Sequence, residues 1–282
     1  MHLIDGKALA ARTRSELKEE IAKLGIAPVL AVLLVGEAPA SVLYVNLKMK
    51  AAEEVGIKVD LRHVPAGTTD AELTGQIEKW NEDGKVHAIL VQVPLSGTHD
   101  ENRILSAIDP KKDADGFHPE NIKALMSGNP TIVPPVHEGI LRLINEAPIK
   151  LAGAQSVIIA NSDVFASPLK RLLTTAGASV AVFTADDVDR DILMEADLIV
   201  IAVGRLGFLI ADMTRNDAVI IDVGTNKTAE GKTRGDTDLQ SYEKTDVWIT
   251  PVPGGVGPMT IAQLLKNVAR LAYDSIPSGK AA

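Results

Sequence analysis

The sequence has 282 residues, of which 46% are hydrophobic and 23% are charged, as in globular proteins of one or two domains. Its net charge of −8 and its lack of basic clusters argue against partners such as nucleic acid or a membrane surface. It contains no cysteine, which excludes disulfides, thiol nucleophiles and thiolate metal sites. The six histidines never show the i, i+4 spacing of a helical metal pair, so we expect no metal site. The N-terminal segment lacks a signal-like apolar run, so we expect a cytoplasmic protein.

Strand and helix patterns alternate in the first part of the chain. Short strand patterns occur at 29–35, 57–64 and 88–93. Helical patterns lie between them, at 40–56 and 70–83. This alternation is typical of parallel strands that are joined by crossover helices and covered on both faces.

The alternation resumes after an irregular segment at 94–135 and a predicted helix at 138–147. The later strands are predicted at 156–160, 179–183, 197–203, 218–223 and 246–250, and the later helices at 167–177, 187–195 and 260–273. The fold class is therefore α/β, with two α/β domains flanking a cleft, the second a Rossmann-type doubly wound parallel sheet. We expect residues 1–118 with 262–282 to form the first domain and 119–261 the second.

A lysine on the predicted helix 40–56 has the surroundings of a proton-transfer group. Ser41, Tyr44 and Lys48 share one helix face, because their spacing is i, i+3, i+7. An apolar stripe runs beside them, and partial desolvation favours the neutral form of a lysine. Such a lysine can exchange protons near neutral pH. A solvated lysine beside a packed tyrosine is the alternative interpretation.

Three other segments contain candidate ligand-binding groups. Gln92 lies near the carboxyl end of an apolar strand, where a ligand or a structural hydrogen bond would satisfy its amide. Asp113 or Asp115 could face the cleft from the acidic segment 109–121, for which a solvated turn is the alternative. The segment 250–260 has three prolines and three glycines, which let a ligand approach the backbone, unless it forms a tight crossover between domains.

The stretch "SVIIANSDVFASPL" (156–169) has the order strand, turn, helix that places phosphates in nucleotide-binding folds. Such turns normally contain glycines, because the backbone must turn sharply next to the ligand. This stretch contains none. From this pattern alone, the stretch could be a cofactor site, a damaged cofactor site or an ordinary connection.

Several segments occur together and in a fixed order: "VGEAPASVLYVNLKMKAAEEVGI", "VQVPL", "DADGFH", "VIIDVGTN", "GDTD" and "TPVPGGVGPMT". They resemble the bifunctional methylenetetrahydrofolate dehydrogenase/methenyltetrahydrofolate cyclohydrolase family, over residues 2–273. The resemblance implies oxidation of 5,10-methylenetetrahydrofolate with NADP or NAD, followed by hydrolysis of the methenyl product to 10-formyltetrahydrofolate. It also implies a small-molecule folate substrate and a homodimer joined through the Rossmann domains.

The resemblance also implies roles for individual residues. It makes Lys48 the main catalytic group, with Gln92 supporting it, Tyr44 orienting the pterin and Asp115 anchoring the pterin ring. The substrate-binding positions that it implies are Ser41, Tyr44, Val91, Leu95, Asp115, Pro253, Gly254, Gly255, Gly257 and Pro258. The cofactor-binding positions that it implies are Val136, Ala160, Asn161, Ser162, Thr184, Gly204 and Thr225.

The dinucleotide turn departs from the family pattern. Ala160 and Ala166 replace two glycines, and Asn161 replaces an arginine that would pair with a 2′-phosphate. Asp186 and Asp187 would repel that phosphate, so the sequence leans against NADP, although these residues could instead cap the next helix. A cyclohydrolase with weak or lost dehydrogenase activity and a non-catalytic folate-binding protein are the alternative functions.

Overall fold

The structure is a computed structural model that describes residues 1–95 and 97–276. Its strands are β1 (His2–Leu3), β2 (Val29–Val35), β3 (Lys58–Val64), β4 (Ala88–Val91), β5 (Gln155–Ala160), β6 (Ser179–Phe183), β7 (Leu198–Ala202), β8 (Val219–Asp222), β9 (Asn226–Lys227), β10 (Thr233–Arg234) and β11 (Trp248–Ile249). Its α-helices are α1 (Gly6–Ala22), α2 (Pro39–Val55), α3 (Asp70–Glu82), α4 (Glu101–Leu105), α5 (Pro119–Met126), α6 (Pro135–Ile144), α7 (Asp163–Thr175), α8 (Arg190–Glu195) and α9 (Val256–Asp274). Short 3₁₀-helices cover Ala211–Met213 and Leu239–Tyr242.

Two parallel sheets organise the chain. The smaller sheet has the order β3-β2-β4, and the larger has the order β1-β11-β8-β7-β5-β6. In the larger sheet, β5 lies between β6 and β7, so the strand order reverses at β5. A reversal of this kind is the topological switch point of a doubly wound sheet. The predicted α/β class with a Rossmann-type sheet is therefore confirmed.

The chain divides into two compact units, each containing one of these sheets. The six-stranded unit comprises Met1–Ala10 and Val136–Thr260, and the three-stranded unit comprises Ala11–Pro135 and Ile261–Ala282. The predicted domain bounds placed residues 1–10 and 119–135 on the other side of this division. The first ten residues join the six-stranded unit because β1 pairs in parallel with β11.

Strand β2 explains why the three-stranded unit needs helices on both faces of its sheet. Leu30 and Val32 belong to a core cluster that includes residues of α1, α2 and α9. Ala31 and Leu33 belong to a second cluster, which includes residues of α3. Because side chains alternate between the two faces of a strand, a continuous apolar run such as β2 is buried on both sides.

Several element boundaries differ from those predicted. Helix α7 begins at Asp163 rather than 167, with Pro168 inside it, and α9 begins at Val256 rather than 260. In both cases a proline inside the helix resembles a helix start in the sequence. Helix α1 is not indicated by the sequence pattern, because many charged residues lie between its apolar positions.

Two glycines allow the start of α1 to contact the turn before α9. The amide of Lys7 donates to the carbonyl of Gly254 at 2.8 Å. A Cβ added to Gly6 would lie 2.1 Å from the carbonyl oxygen of Gly255, and one added to Gly255 would lie 2.7 Å from Cβ of Thr250. Backbone packing therefore accounts for part of the glycine content of segment 250–260.

We predict that Gly6→Ala destabilises the protein by about 1–3 kcal/mol or more, since the added methyl group overlaps a backbone carbonyl that cannot move independently. The matched control is Gly75→Ala in α3, where no heavy atom lies within 4 Å of the added Cβ. This control should be neutral or should stabilise the protein by about 1 kcal/mol. Urea denaturation monitored by circular dichroism measures both changes. Equal stabilities of the two variants would contradict the packing argument.

Candidate active site

Helix α2 buries two of the three polar residues that the sequence placed on one face. Ser41 is 6% exposed and Lys48 is 8% exposed, whereas Tyr44 is half-buried. Val45, on the same helix, belongs to the core of the three-stranded unit. The lysine is therefore not the solvated side chain of the alternative interpretation, since its stem is enclosed by the protein.

A side-chain hydrogen bond joins α2 to the end of β4. The Nζ of Lys48 donates to Oε1 of Gln92 at 3.0 Å. The amide of Gln92 is itself oriented, because its Nε2 donates to the carbonyl of Val93 at 2.6 Å and its backbone N–H donates to Leu33 at 2.9 Å. The glutamine oxygen thus faces the lysine in a defined position.

The acidic turn is attached to the sheet beside β4. Ile89 and Asp113 form a parallel bridge, with Ile89 N donating to the carbonyl of Lys112 and Ala114 N donating back to Ile89. This bridge brings residues 113–115 to the strand that precedes Gln92. The sequence pattern did not decide whether Asp113 or Asp115 binds a ligand.

The two aspartates have different surroundings. The carboxylate of Asp113 is 2% exposed and accepts hydrogen bonds from the backbone of Gly116 and His118 and from the side chain of Asn121, at 2.8–3.0 Å. Asp113 therefore holds the turn together. Both aspartates line a small pocket beside β4, but Asp115 is half-buried and therefore the more exposed of the two. Its carboxyl group is the one more accessible to a ligand.

Opposing effects act on the carboxyl group of Asp115. Burial raises its pKa, the positive charge of Lys48 lowers it, and the negative charge of Asp113 raises it. Asp115 and Lys48 are therefore close enough to interact electrostatically. Near the carboxyl end of β4, a hydrogen-bonded amine and amide oxygen thus lie within electrostatic range of a carboxyl group.

The remaining predicted substrate positions lie in two places. Val91 and Leu95 are buried in the three-stranded unit, where Leu95 N donates to Glu101 at 2.7 Å. The positions in the glycine-rich segment belong to the six-stranded unit, and they are Pro253, Gly254, Gly255, Gly257 and Pro258. The last two lie in the first turn of α9.

Most predicted cofactor positions lie at one edge of the larger sheet. Its parallel register aligns Ile159 with Phe183, Ala160 with Ala202, and Ile201 with Asp222. The cofactor positions at or just after these strand ends are Ala160, Asn161, Ser162, Thr184, Gly204 and Thr225. Val136 lies at the start of α6, where the next residue, His137, makes a hydrogen bond with the carbonyl of Phe165 in α7. Ligands of open α/β sheets bind at this edge.

The turn after β5 has alanines in place of the usual glycines without backbone strain. In residues 1–95 and 97–276 only glycines have positive φ, so Ala160 and Ala166 adopt backbone conformations that suit alanine. Asn161 donates from Nδ2 to the carbonyl of Val203 at 3.0 Å, which ties the turn to the loop after β7. Ser162 makes no side-chain cap to α7, so the first N–H groups of this helix can face a phosphate.

A buried carboxylate organises the loop after β7. Oδ2 of Asp236 accepts from the backbone N–H groups of Val203 and Gly204 at 2.7 and 3.0 Å. Its Oδ1 accepts from Nδ2 of Asn226 at 2.8 Å. Asp236 lies in the segment "GDTD", and no role for it was predicted from the sequence. Its position directly after a glycine, within a segment shared with the family, is the feature that could have indicated a structural role.

Asp222, at the end of β8, holds the loop after its own strand and the segment that contains Asp236. Its carboxylate accepts from the backbone of Gly224, Asp236 and Thr237 at 2.8–3.1 Å. A Cβ on Gly224 would lie 2.2 Å from Cγ of Asp236, and one on Gly235 would lie 2.0 Å from Oδ2 of Asp222. The glycines therefore let the backbone surround both carboxylates, and together they fix the carboxyl edge of the sheet.

The two aspartates that follow β6 do not cap α8. Asp189 is the N-cap of that helix and accepts from Asp191 N at 2.9 Å, so the capping interpretation is wrong. Asp186 forms an ion pair with Arg205, with 2.7 Å between Oδ1 and Nη1. Asp187 accepts from the hydroxyl of Thr184 at 2.6 Å.

The fold and these two sites define an α/β enzyme class with a dinucleotide-binding sheet, and comparison with known proteins gives the family. Residues 4–115 match the model described as "Tetrahydrofolate dehydrogenase/cyclohydrolase, catalytic domain". Residues 134–275 match "Tetrahydrofolate dehydrogenase/cyclohydrolase, NAD(P)-binding domain". The chain therefore belongs to the tetrahydrofolate dehydrogenase/cyclohydrolase family.

Individual relatives cover nearly the whole chain. Bifunctional protein FolD of Campylobacter hominis is 44% identical over 280 residues, which are 98% of this chain and 99% of the relative. The crystal structure of FolD from Campylobacter jejuni has a TM-score of 0.94 and 42% identity, and covers 98% of this chain and 100% of that one. The Trypanosoma brucei FolD structure, complexed with NADP and an inhibitor, has a TM-score of 0.92 and 33% identity, and covers 98% of each chain.

These matches support the bifunctional interpretation over the two alternatives. The chain is a methylenetetrahydrofolate dehydrogenase and methenyltetrahydrofolate cyclohydrolase of one-carbon folate metabolism, with an NAD(P)-binding domain. Within the part of the chain that the structure describes, no helix is long and apolar enough to span a membrane. Within the same residues, no group of histidines and carboxylates could hold a metal ion.

We predict that the titration of Asp222 makes the protein less stable as the pH rises. Burial raises its pKa from the ordinary 3.8 to about 6. Between these values the folded state keeps a proton that the unfolded chain has released, so the free energy of unfolding falls as the pH rises. A shift of about two units corresponds to about 3 kcal/mol.

The measurement compares wild-type protein with Asp222→Asn, which cannot titrate at this position. Urea denaturation between about pH 4 and pH 7 should show the wild type losing up to about 3 kcal/mol relative to the variant. A difference that stays constant over this range, or that moves in favour of the wild type, would refute the assignment.

Proposed function

We propose that Lys48, Gln92, Tyr44 and Asp115 carry the folate chemistry of this enzyme. The observation that carries the proposal is the 3.0 Å hydrogen bond between Nζ of Lys48 and Oε1 of Gln92. It fixes a buried amine within electrostatic range of the Asp115 carboxyl group. Such a constellation suits proton transfer to and from a bound heterocycle.

In the hydrolytic step, Lys48 assists the attack of water on the methenyl carbon. That carbon is an electron-poor, amidinium-type centre, and the attacking water must lose a proton. In its neutral form, an amine positioned beside the carbon can take this proton as the carbon–oxygen bond forms. Gln92 keeps Nζ in place, because its own amide is fixed by the carbonyl of Val93.

Asp115 and Tyr44 position the folate. A carboxylate can accept two parallel N–H donors from a pterin edge, which gives charge-assisted bonds of defined direction. Tyr44 lies one helical turn before Lys48 and is half-buried, so its ring can stack on the pterin. Ser41, Val91 and Leu95 add to this folate surface.

In the oxidative step, the nicotinamide takes a hydride from the methylene carbon of the folate. We propose that the carboxyl edge of the larger sheet binds the dinucleotide, with the first turn of α7 facing the pyrophosphate. Asn161 and Asp236 hold the loops of this edge through Val203 and Gly204. The NADP-bound Trypanosoma brucei relative supports this assignment.

We also propose that the protein is a cytoplasmic homodimer. The family resemblance supports the dimer, and the absence of cysteine is compatible with a reducing compartment. Light scattering should therefore give twice the chain mass of 29.9 kDa. A mass equal to a single chain would contradict the dimer.

We predict that Lys48→Met lowers the rate of methenyltetrahydrofolate hydrolysis by at least about 100-fold, since the variant removes the group that takes the proton. The matched control is Lys50→Met, which changes an exposed lysine two residues along the same helix. Loss of the methenyl absorbance measures both rates.

The control should keep the wild-type rate. Dinucleotide binding by Lys48→Met should also be unchanged, which shows that the variant is folded. A Lys48→Met protein that keeps most of its hydrolytic rate would overturn the assignment of the lysine.

A further inference from the structure

An ion pair crosses the switch point of the six-stranded sheet. Asp186 lies three residues after β6 ends, and Arg205 lies three residues after β7 ends. Strand β5 lies between β6 and β7 in the sheet. The pair, with 2.7 Å between Oδ1 and Nη1, therefore joins the two loops that flank the carboxyl end of β5. This strand end carries the turn at Asn161 and Ser162.

The acidic member of the pair is placed as a ribose acceptor. In doubly wound sheets, an acidic residue about 20 residues after the first turn accepts a hydrogen bond from the adenosine 2′-hydroxyl of NAD. Asp186 follows the second strand of this βαβ unit. It does not cap α8, because Asp189 does. Its carboxylate therefore has no helix-terminal role that would compete with a ligand.

The basic side chains that would bind a 2′-phosphate are either absent or already paired with other groups. Asn161 stands where the family has an arginine, and its amide is bound to the carbonyl of Val203. The segments that link β5, β6 and β7 to the next helix, counted through the first residue of that helix, contain four aspartates and two cations, Arg190 and Arg205. Arg205 is paired with Asp186, and Nε of Arg190 donates to the carbonyl of Asp212. The negative charge at this edge opposes a further phosphate.

We propose that Asp186, held in place by Arg205, makes this enzyme select NAD over NADP. The carboxylate accepts the ribose 2′-hydroxyl, and the guanidinium fixes the direction in which the carboxylate points. This inference rests on the proposed dinucleotide site at the same sheet edge. If Asp186 is removed, the guanidinium of Arg205 is released, and a free guanidinium binds phosphate strongly.

The test is calorimetric titration of the full-length protein with NAD and with NADP. The wild type should bind NAD at least about tenfold more tightly than NADP. The 2′-hydroxyl of NAD gains a charge-assisted hydrogen bond to Asp186, whereas the 2′-phosphate of NADP would be repelled by this carboxylate. In Asp186→Ala the acceptor is lost and Arg205 is released. The ratio of the two dissociation constants should then shift by at least about tenfold toward NADP.

Two controls separate this mechanism from general charge effects. Glu195→Ala removes an exposed carboxylate at the end of α8 and should leave the ratio unchanged within about twofold. The double variant Asp186→Ala/Arg205→Ala should lose the gain in NADP affinity, since the released guanidinium is its source.

The outcomes distinguish this inference from the function on which it rests. If both dinucleotides bind and the wild type prefers NADP, or if Asp186→Ala leaves the ratio unchanged, only the selection by Asp186 is wrong. If neither dinucleotide binds while the methenyl substrate is still hydrolysed, the proposed dinucleotide site fails, and the inference fails with it.

Discussion

The hydrogen bond from Lys48 to Gln92 is the contact on which the proposed chemistry depends. It requires a helix and a strand end to be held in fixed register, and the buried strand β2 provides this by packing both faces of the smaller sheet. The bridge between Ile89 and Asp113 then brings the acidic turn to the same strand end. The proposed folate surface thus depends on the parallel sheet rather than on any single motif.

The larger sheet uses buried carboxylates for the equivalent task. Asp222 and Asp236 accept backbone N–H groups from the loops after β7 and β8 and from residues 236–237 after β10, near the strand ends where a dinucleotide is expected to bind. Charged groups buried in this way are costly unless they are fully hydrogen-bonded, and here the surrounding backbone supplies the donors. Gly224 and Gly235 are required because a side chain at either position would overlap a carboxylate. The motifs that contain them therefore shape the loops at the carboxyl edge of the sheet.

Most of the fold could be predicted from the sequence, because short apolar runs such as β2 and β7 mark buried parallel strands. Helix α1 could not, since its apolar positions are separated by many charges, and the start of α7 was hidden by Pro168. Local patterns did place Lys48 beside an apolar stripe. They could not decide between Asp113 and Asp115, because that distinction arises from hydrogen bonds between distant turns and helices. They also could not show that Ala160 is unstrained, since its backbone angles depend on its pairing within the sheet.

In the proposed site, Lys48, Gln92 and Asp115 surround the one-carbon unit of the folate. A crystal structure of the protein with a stable folate analogue would test this arrangement. We expect the carbon equivalent to the methenyl group to lie about 3.5 Å from Nζ of Lys48, a distance suited to reaction. We also expect Asp115 to accept two hydrogen bonds from the pterin edge. An analogue bound away from these three side chains would refute the arrangement.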